Sequence, residues 1–149
     1  MAGDSELTKL TAQAVVGLLR QGKVSPLELI DSALARIAAT NGAINALPTL
    51  CPERARDHAR RMMAGPKSAA GHPGWLGGLP FAVKDLNEVA GVRSTQGSPI
   101  FADHIPGRSD IMVERLEERG GIVLAMSNTP EFGAGANTFN EVYGETLNP

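Results

Sequence analysis

The stretch G-G-L-P-F-A-V-K-D-L-N-E-V-A-G-V-R-S-T-Q-G-S, residues 77–98, decides how this chain is read. Two glycines and the apolar run Leu79–Val83 open it, and a short apolar run bounded by turn residues predicts a buried strand. Lys84 and Asp85 close that run, at the end of the strand where open α/β sheets place their ligands. A lysine there is expected to be sheltered from water. Desolvation disfavours the ammonium form, which lets the amine act as a base near neutral pH. The competing reading is structural: a lysine at a strand end snorkels to water or pairs with a neighbouring carboxylate, here Asp85.

Downstream, Asn87–Arg108 reads as a loop-rich insert at the functional edge of the sheet. Ser109 or Asp110 then caps a helix running to about Arg119, with Met112, Val113 and Leu116 on its buried side. Gly120-Gly121 ends that helix, and Ile122–Met126 is a strongly apolar strand. Strand, crossover, helix and strand in this order imply parallel strands joined right-handedly. Thr129-Pro130-Glu131 starts a short helix. From Gly133 onward the chain reads as irregular, with Phe139 and Tyr143 as anchors.

Upstream, residues 7–22 predict a first helix, capped by Thr8 or Thr11 and stopped by Gly22. The second has the best start signal. Ser25 is the N-cap, Pro26 takes the first helical position, and Glu28 completes a capping box. Val24 and Leu29 flank it as a hydrophobic staple. Leu27, Ile30, Leu34 and Ile37 form its buried stripe, and Asn41-Gly42 ends it. Ala46–Leu50 reads as a short strand, and Pro52 opens a third helix to about Ala64. Gly65–Gly78, with five glycines and two prolines, reads as a mobile surface connection. The fold class is therefore α/β. A helical layer (residues 1–65) and a connection (66–78) precede the start of a mixed or parallel sheet core (79–149).

Composition restricts the function. With 149 residues there is chain enough for one domain, and 42% apolar and 20% charged residues with a net charge of −2 are those of an ordinary globular protein. That balance gives no electrostatic reason to expect a nucleic acid or an anionic membrane as partner. Arg54, Arg56, Arg60 and Arg61 are interleaved with Glu53, Asp57 and His58, which marks a solvated helix face. The single cysteine, Cys51, has no partner within the chain and fits a reducing compartment. The start Met1–Glu6 lacks a signal-peptide pattern, and no apolar stretch is long enough to span a bilayer, so a cytoplasmic location is expected.

Three rival constellations fail on spacing. Gly133-Ala-Gly135-Ala-Asn-Thr138 lacks the third glycine of a dinucleotide loop and is separated from its strand. Ser98, His104 and Asp110 are the residue types of a nucleophilic triad, but they crowd into one segment without a strand–elbow context. His58, His72 and His104 show no metal-ligand spacing, so no metal is expected.

Several motifs in fixed order resemble the amidase signature family. They are the G-G-L-P-F-A-V-K-D-L…G-V-R-S-T-Q-G-S segment, then Arg115-Leu116…Gly120–Phe132, then Asn140…Tyr143-Gly144…Asn148-Pro149. The resemblance implies hydrolysis of a carbon–nitrogen bond by a Ser–cis-Ser–Lys triad, without a metal or organic cofactor, on a small-molecule amide. The family's lysine matches Lys84. Thr95, Gly97 and Ser98 match its T-x-G-S element, and Asn128, Glu131 and Phe132 its N-x-x-E-F element. Asp85, Thr95, Ser98, Asn128 and Glu131 are accordingly expected to line or support the site. Ala125-Met126-Ser127 departs from the commoner Gly-Lys-Thr and touches no triad member. In relatives both serines follow the Asn-Pro matching Asn148-Pro149, so the chain to Pro149 is expected to be a truncated, inactive portion of the fold. Two alternatives stand beside this. One is a non-catalytic piece that self-associates through an exposed sheet edge; the other is the synthetase-type amidase component of a glutamine-dependent amidotransferase.

Overall fold

Ile122, Val123, Leu124, Ala125 and Met126 are all essentially buried, which requires apolar neighbours on both faces of one strand. In the computed structural model, which describes residues 4–65 and 72–148, this strand is β3 (Ile122–Ser127), the centre of a three-stranded sheet. On one side lies β2 (Pro80–Lys84), parallel to it; on the other lies the two-residue β1 (Thr49–Leu50), antiparallel. The sheet is thus mixed, and its parallel pair flanks the helix α5 (Ile111–Glu118), as the strand–helix–strand order implies.

The register contains one irregularity with large consequences. Phe81 pairs with Val123 but Ala82 pairs with Ala125, so β3 carries one more residue than its partner at Leu124. A bulge of this kind shifts side-chain parity along the strand. Val123 and Met126, three residues apart, consequently share one apolar cluster with Val83, Val89, Val92 and Val113. Ile122 and Leu124 face the opposite layer, where they meet Ile30, Ala55 and Ala59.

That layer is helical. α1 (Asp4–Leu7) and α2 (Ala12–Arg20) replace the single helix expected over 7–22, because Thr11 caps α2 by accepting the Ala14 N–H at 3.2 Å. Ser25 forms the full capping box with Glu28 and starts α3 (Pro26–Ile44), and Val24 and Leu29 are both buried in one cluster. Asn41-Gly42 does not end α3. The Asn41 side chain instead accepts the N–H groups of Ala46 and Leu47, and Asn45, in the left-handed region, ends the helix three residues later. Helix α4 (Pro52–Ala64) packs on β3. The sequence between Gly65 and Gly78 was expected to be mobile; residues 66–71 lie outside the described residues, and 72–78 form turns whose Leu76 and Gly78 N–H groups bond to Arg119 and Gly120 carbonyls. The helical segment is not separate from the sheet, since it supplies β1.

Two side chains expected inside lie outside. Met112 is 47% exposed, because α5 turns Val113 and the half-buried Leu116 and Glu117 inward instead. Phe139 is 67% exposed and anchors nothing. It belongs to a two-stranded ribbon, β4 (Phe139–Asn140) with β5 (Gly144–Glu145), in a stretch expected to be irregular. Tyr143 is the half-buried partner there, its hydroxyl 3.0 Å from Thr49 Oγ1.

The α4 arginines are mostly paired. Arg56 bonds Asp31 and Glu53, Arg60 bonds Asp57, and Arg54 makes a bidentate contact to Glu117 at 2.7 and 3.0 Å. His58 adds a contact to Glu117 at 3.3 Å. Burial alone would raise the Glu117 carboxyl, but the hydrogen bonds from His58 and Arg54 and the guanidinium charge hold it down at about 2. A carboxyl held below its ordinary 4.5 stabilises the fold fully above that pH, and the contribution disappears as pH falls toward 2. Arg54→Ala should therefore lower unfolding free energy at pH 7 by about 1–3 kcal/mol. In urea melts at successive pH values, the gap to the parent chain should close between pH 4.5 and 2.

Candidate active site

Lys84 is the last residue of β2 and is level with Ser127 at the end of β3. Its position at the tips of two parallel strands is as expected, but its shelter is not. The side chain is exposed, and among the described residues it makes no hydrogen bond or ion pair. Ala82 is exposed and Val83 buried, so the alternation of β2 turns Lys84 outward on the open side of an edge strand. Asp85 does not pair with it. That carboxylate is fully buried and takes both donors of Thr95, the N–H at 2.8 Å and the hydroxyl at 2.6 Å. The Asp85 N–H, meanwhile, bonds the Ser127 carbonyl at 3.0 Å, extending the parallel pairing by one step.

Two loops meet beside this strand end. Thr95 Oγ1, besides donating to Asp85, accepts the Gly97 N–H at 3.0 Å. Ser98 is fully buried and donates its hydroxyl to Glu131 at 2.7 Å, while Phe132 N–H bonds the Gln96 carbonyl at 2.8 Å. Both loops carry non-glycine residues at positive φ, Gln96 at 53° and Phe132 at 50°, so a costly backbone shape is held by the surrounding bonds. Gly97 lies between them at φ 67°, where a Cβ would stand 3.0 Å from the Thr129 carbonyl oxygen. Glycine is thus required there twice, by its dihedral and by the closeness of the second loop.

Asn128 is part of a separate network. Its Oδ1 accepts from Thr129 N–H and Asn140 Nδ2, and its Nδ2 donates to the Gly144 carbonyl and to Thr146 Oγ1. Thr146 Oγ1 in turn donates to the Asn45 carbonyl at 2.7 Å. Asn128 therefore fastens the β4–β5 ribbon to β3 and to the end of α3. Of the expected residues, Asp85 and Thr95 are bonded to each other and Ser98 to Glu131. Lys84 and Asn128 lie at the same end of the sheet without a bond to either pair.

Sequence reasoning missed Asp110. It occupies the N-cap position of α5 but makes no cap bond; its Oδ2 accepts from Asn87 Nδ2 at 2.9 Å and Glu88 N–H at 3.1 Å. Asn140, buried and bonded to Asn128 and the Thr129 carbonyl, was likewise unread, although it lies in a quoted motif. Ser98, His104 and Asp110 do not converge, because His104 pairs with Glu88 at 2.9 Å and each member has its own partner. No group of three metal-ligating side chains occurs among the described residues. A groove between α4 and α5, lined among others by Arg54, His58 and Glu117, shares no residue with this end of the sheet.

These features define an α/β fold with a polar, tightly bonded candidate site at the C-terminal ends of parallel strands. The chain belongs to the amidase family, whose model matches residues 28–149. It is 36% identical over 146 residues to the amidase-family component of the glutamyl-tRNA(Gln) amidotransferase of Salinispora tropica, covering 97% of this chain and 29% of that one. It is 34% identical over 150 residues to an acylamidase of Rhodococcus erythropolis, covering 98% of this chain and 30% of the relative. Among solved structures, a chain from "an unexpected vestigial protein complex" bearing on the origins of an s-triazine catabolic enzyme superposes with a TM-score of 0.83. Its identity is 34%, over 94% of this chain and 31% of that one. The chain thus spans about three-tenths of the length of these relatives. No helix among the described residues is long and apolar enough to cross a membrane.

Two substitutions test the packing of the loops. Gly97→Ala should cost about 1–3 kcal/mol in unfolding free energy, through its dihedral and the contact with Thr129. Ser94→Ala should be neutral or slightly stabilising in the same melt, since the Ser94 hydroxyl is buried with no hydrogen-bond partner among the described residues.

Proposed function

We propose that this chain is the N-terminal part of an amide hydrolase of the Ser–cis-Ser–Lys kind, with Lys84 as the base. The observation that carries the reading is the place of Lys84, level with Ser127 at the tips of β2 and β3 and inside the family match. By the family resemblance, the two serines lie in the part of the relatives' length that this chain does not span. In the complete enzyme the neutral Lys84 amine takes a proton from the bridging serine, which takes one from the nucleophilic serine. The nucleophile's oxygen bonds to the amide carbon, and the carbon–nitrogen bond breaks as the proton returns to the departing amine. Water then hydrolyses the acyl ester. No step calls for a metal or organic cofactor. The desolvation that the base needs is supplied, on this reading, by the remaining part of the fold, since Lys84 is exposed within residues 1–149.

The substrate is a small-molecule amide. The acylamidase relative favours an acyl amide, and the amidotransferase relatives favour glutamine as a nitrogen donor. The largely paired arginines of α4 leave little cationic surface for nucleic acid, and the single Cys51 accords with a cytoplasmic location. A second reading, a non-catalytic piece that self-associates, is favoured by the sheet order, which leaves β2 with a neighbour on one side only and Ala82 exposed along it.

Residues 1–149 alone are expected to give no measurable amide hydrolysis. Joined to the downstream sequence of the acylamidase relative, they should hydrolyse an acyl anilide, with Lys84→Ala lowering the rate at least ~1,000-fold. Activity that survives Lys84→Ala in this chimera would remove the lysine from the mechanism. Sedimentation of residues 1–149 decides the second reading. Oligomers that Ala82→Lys returns to monomers support it, and a parent chain that is already monomeric refutes it.

A further inference from the structure

Two carboxylates that the proposed chemistry leaves unused hold the turn that follows Lys84. Asp85 is fully buried, and among the described residues no lysine, arginine or histidine pairs with it. Burying a carboxylate without a counter-cation is costly unless fixed donors surround it. Here both donors come from Thr95, whose N–H and hydroxyl meet Oδ1 and Oδ2 at 2.8 and 2.6 Å. Asp110 approaches the same turn from the start of α5, taking the Asn87 side-chain amide and the Glu88 N–H on one oxygen. Between the two carboxylates, the N–H groups of Leu86 and Asn87 both close on the carbonyl of Lys84, at 2.7 and 2.9 Å. The backbone leaving the lysine is therefore bonded to itself, to the loop 94–98, and to the head of a helix. A solvent-facing lysine on an edge strand needs none of this to stay soluble.

We propose that Asp85 and Asp110 are positioning residues for Lys84, which together fix the turn out of β2 so that the amine leaves the sheet at one place beside Ser127. The inference rests on the reading of Lys84 as the base and adds a reason for its surroundings. A proton acceptor must meet its donor within hydrogen-bond reach, and misplacement by about 1 Å can cost on the order of 100-fold in rate. The turn supplies that constraint from the side of the strand, while the exposed side chain is free to be enclosed. Asp110 gives up the capping bond of its own helix to do so, which is a small local cost.

Backbone order parameters of isotope-labelled residues 1–149 test the brace without any need for catalysis. In Asp85→Asn and Thr95→Val, values at residues 84–88 should fall from about 0.85 toward 0.6 or below, while Val15 and Val123 keep theirs. Thr95→Ser, which retains both donors, should keep the parent values, and Asp110→Asn should loosen Asn87 and Glu88 alone. Unchanged order at 84–88 in all the variants would overturn the proposal. So would loosening spread equally through β3 and α3, since the carboxylates would then be ordinary core bonds. Should Asp85→Asn fail to fold, Thr95→Val and Asp110→Asn decide the matter. In an active chimera the same variants should lower kcat about 10- to 100-fold with KM little changed, and a drop confined to KM would overturn the proposal. Failure of the base assignment is read separately, from full activity in Lys84→Ala, whatever the order parameters show.

Discussion

The burial of β3 on both faces is the constraint from which the architecture follows. A strand that is apolar throughout cannot face water, so one layer of helix and one of loop and helix must close on it. α3 and α4 supply Ile30, Ala55 and Ala59 on one side; the segment 83–92 and α5 supply four valines on the other. The neighbouring strands are subordinate: β2 shares a long parallel edge with it, and β1 contributes only two residues. Because the layers are held to one strand, its C-terminal end is the place where the sheet's two sides and the loops of the chain come closest.

At that end the chain exchanges apolar packing for hydrogen bonding. Asp85, Thr95, Ser98, Asn128, Thr129 and Asn140 are all buried, and each has a partner. Buried polar groups of this density are tolerated only when their bonds are made, and once made they fix one geometry. The left-handed Gln96 and Phe132 show the same thing in the backbone, since neither would hold that conformation unaided. Rigidity is concentrated beside Lys84, whereas the lysine side chain itself is the least constrained element of the group.

Elements whose determinants are local were legible in the sequence. Ser25, Pro26 and Glu28 interact within one helical turn, and both long strands announced themselves by apolar runs between glycines. What failed depended on distant partners. Asn41-Gly42 looked like a stop, but Asn41 satisfies Ala46 and Leu47 beyond the helix end. Met112 fitted a helical stripe, yet the inward side of α5 is set by Arg54, 63 residues away from Glu117. Asp110 looked like a cap because capping is the commonest local use of that residue; its true partners are 22 and 23 residues upstream. The pairing of Ser98 with Glu131 was foreshadowed only by their shared membership of family motifs. The shelter expected for Lys84 followed from its place in the strand, but an edge strand has an open side that periodicity does not reveal.

The single extra residue at Leu124 bears on how this family can change. Everything N-terminal to it on β3 is set by one parity and everything C-terminal by the other, so Ser127 comes level with Lys84 only because the count is uneven. Removing one residue from this strand would turn the site-proximal half inside out, whereas swapping one aliphatic for another would merely repack it. Insertions and deletions should therefore accumulate in the long crossover and be purged from β3. Length, more than side-chain identity, is what descent has to preserve in that strand.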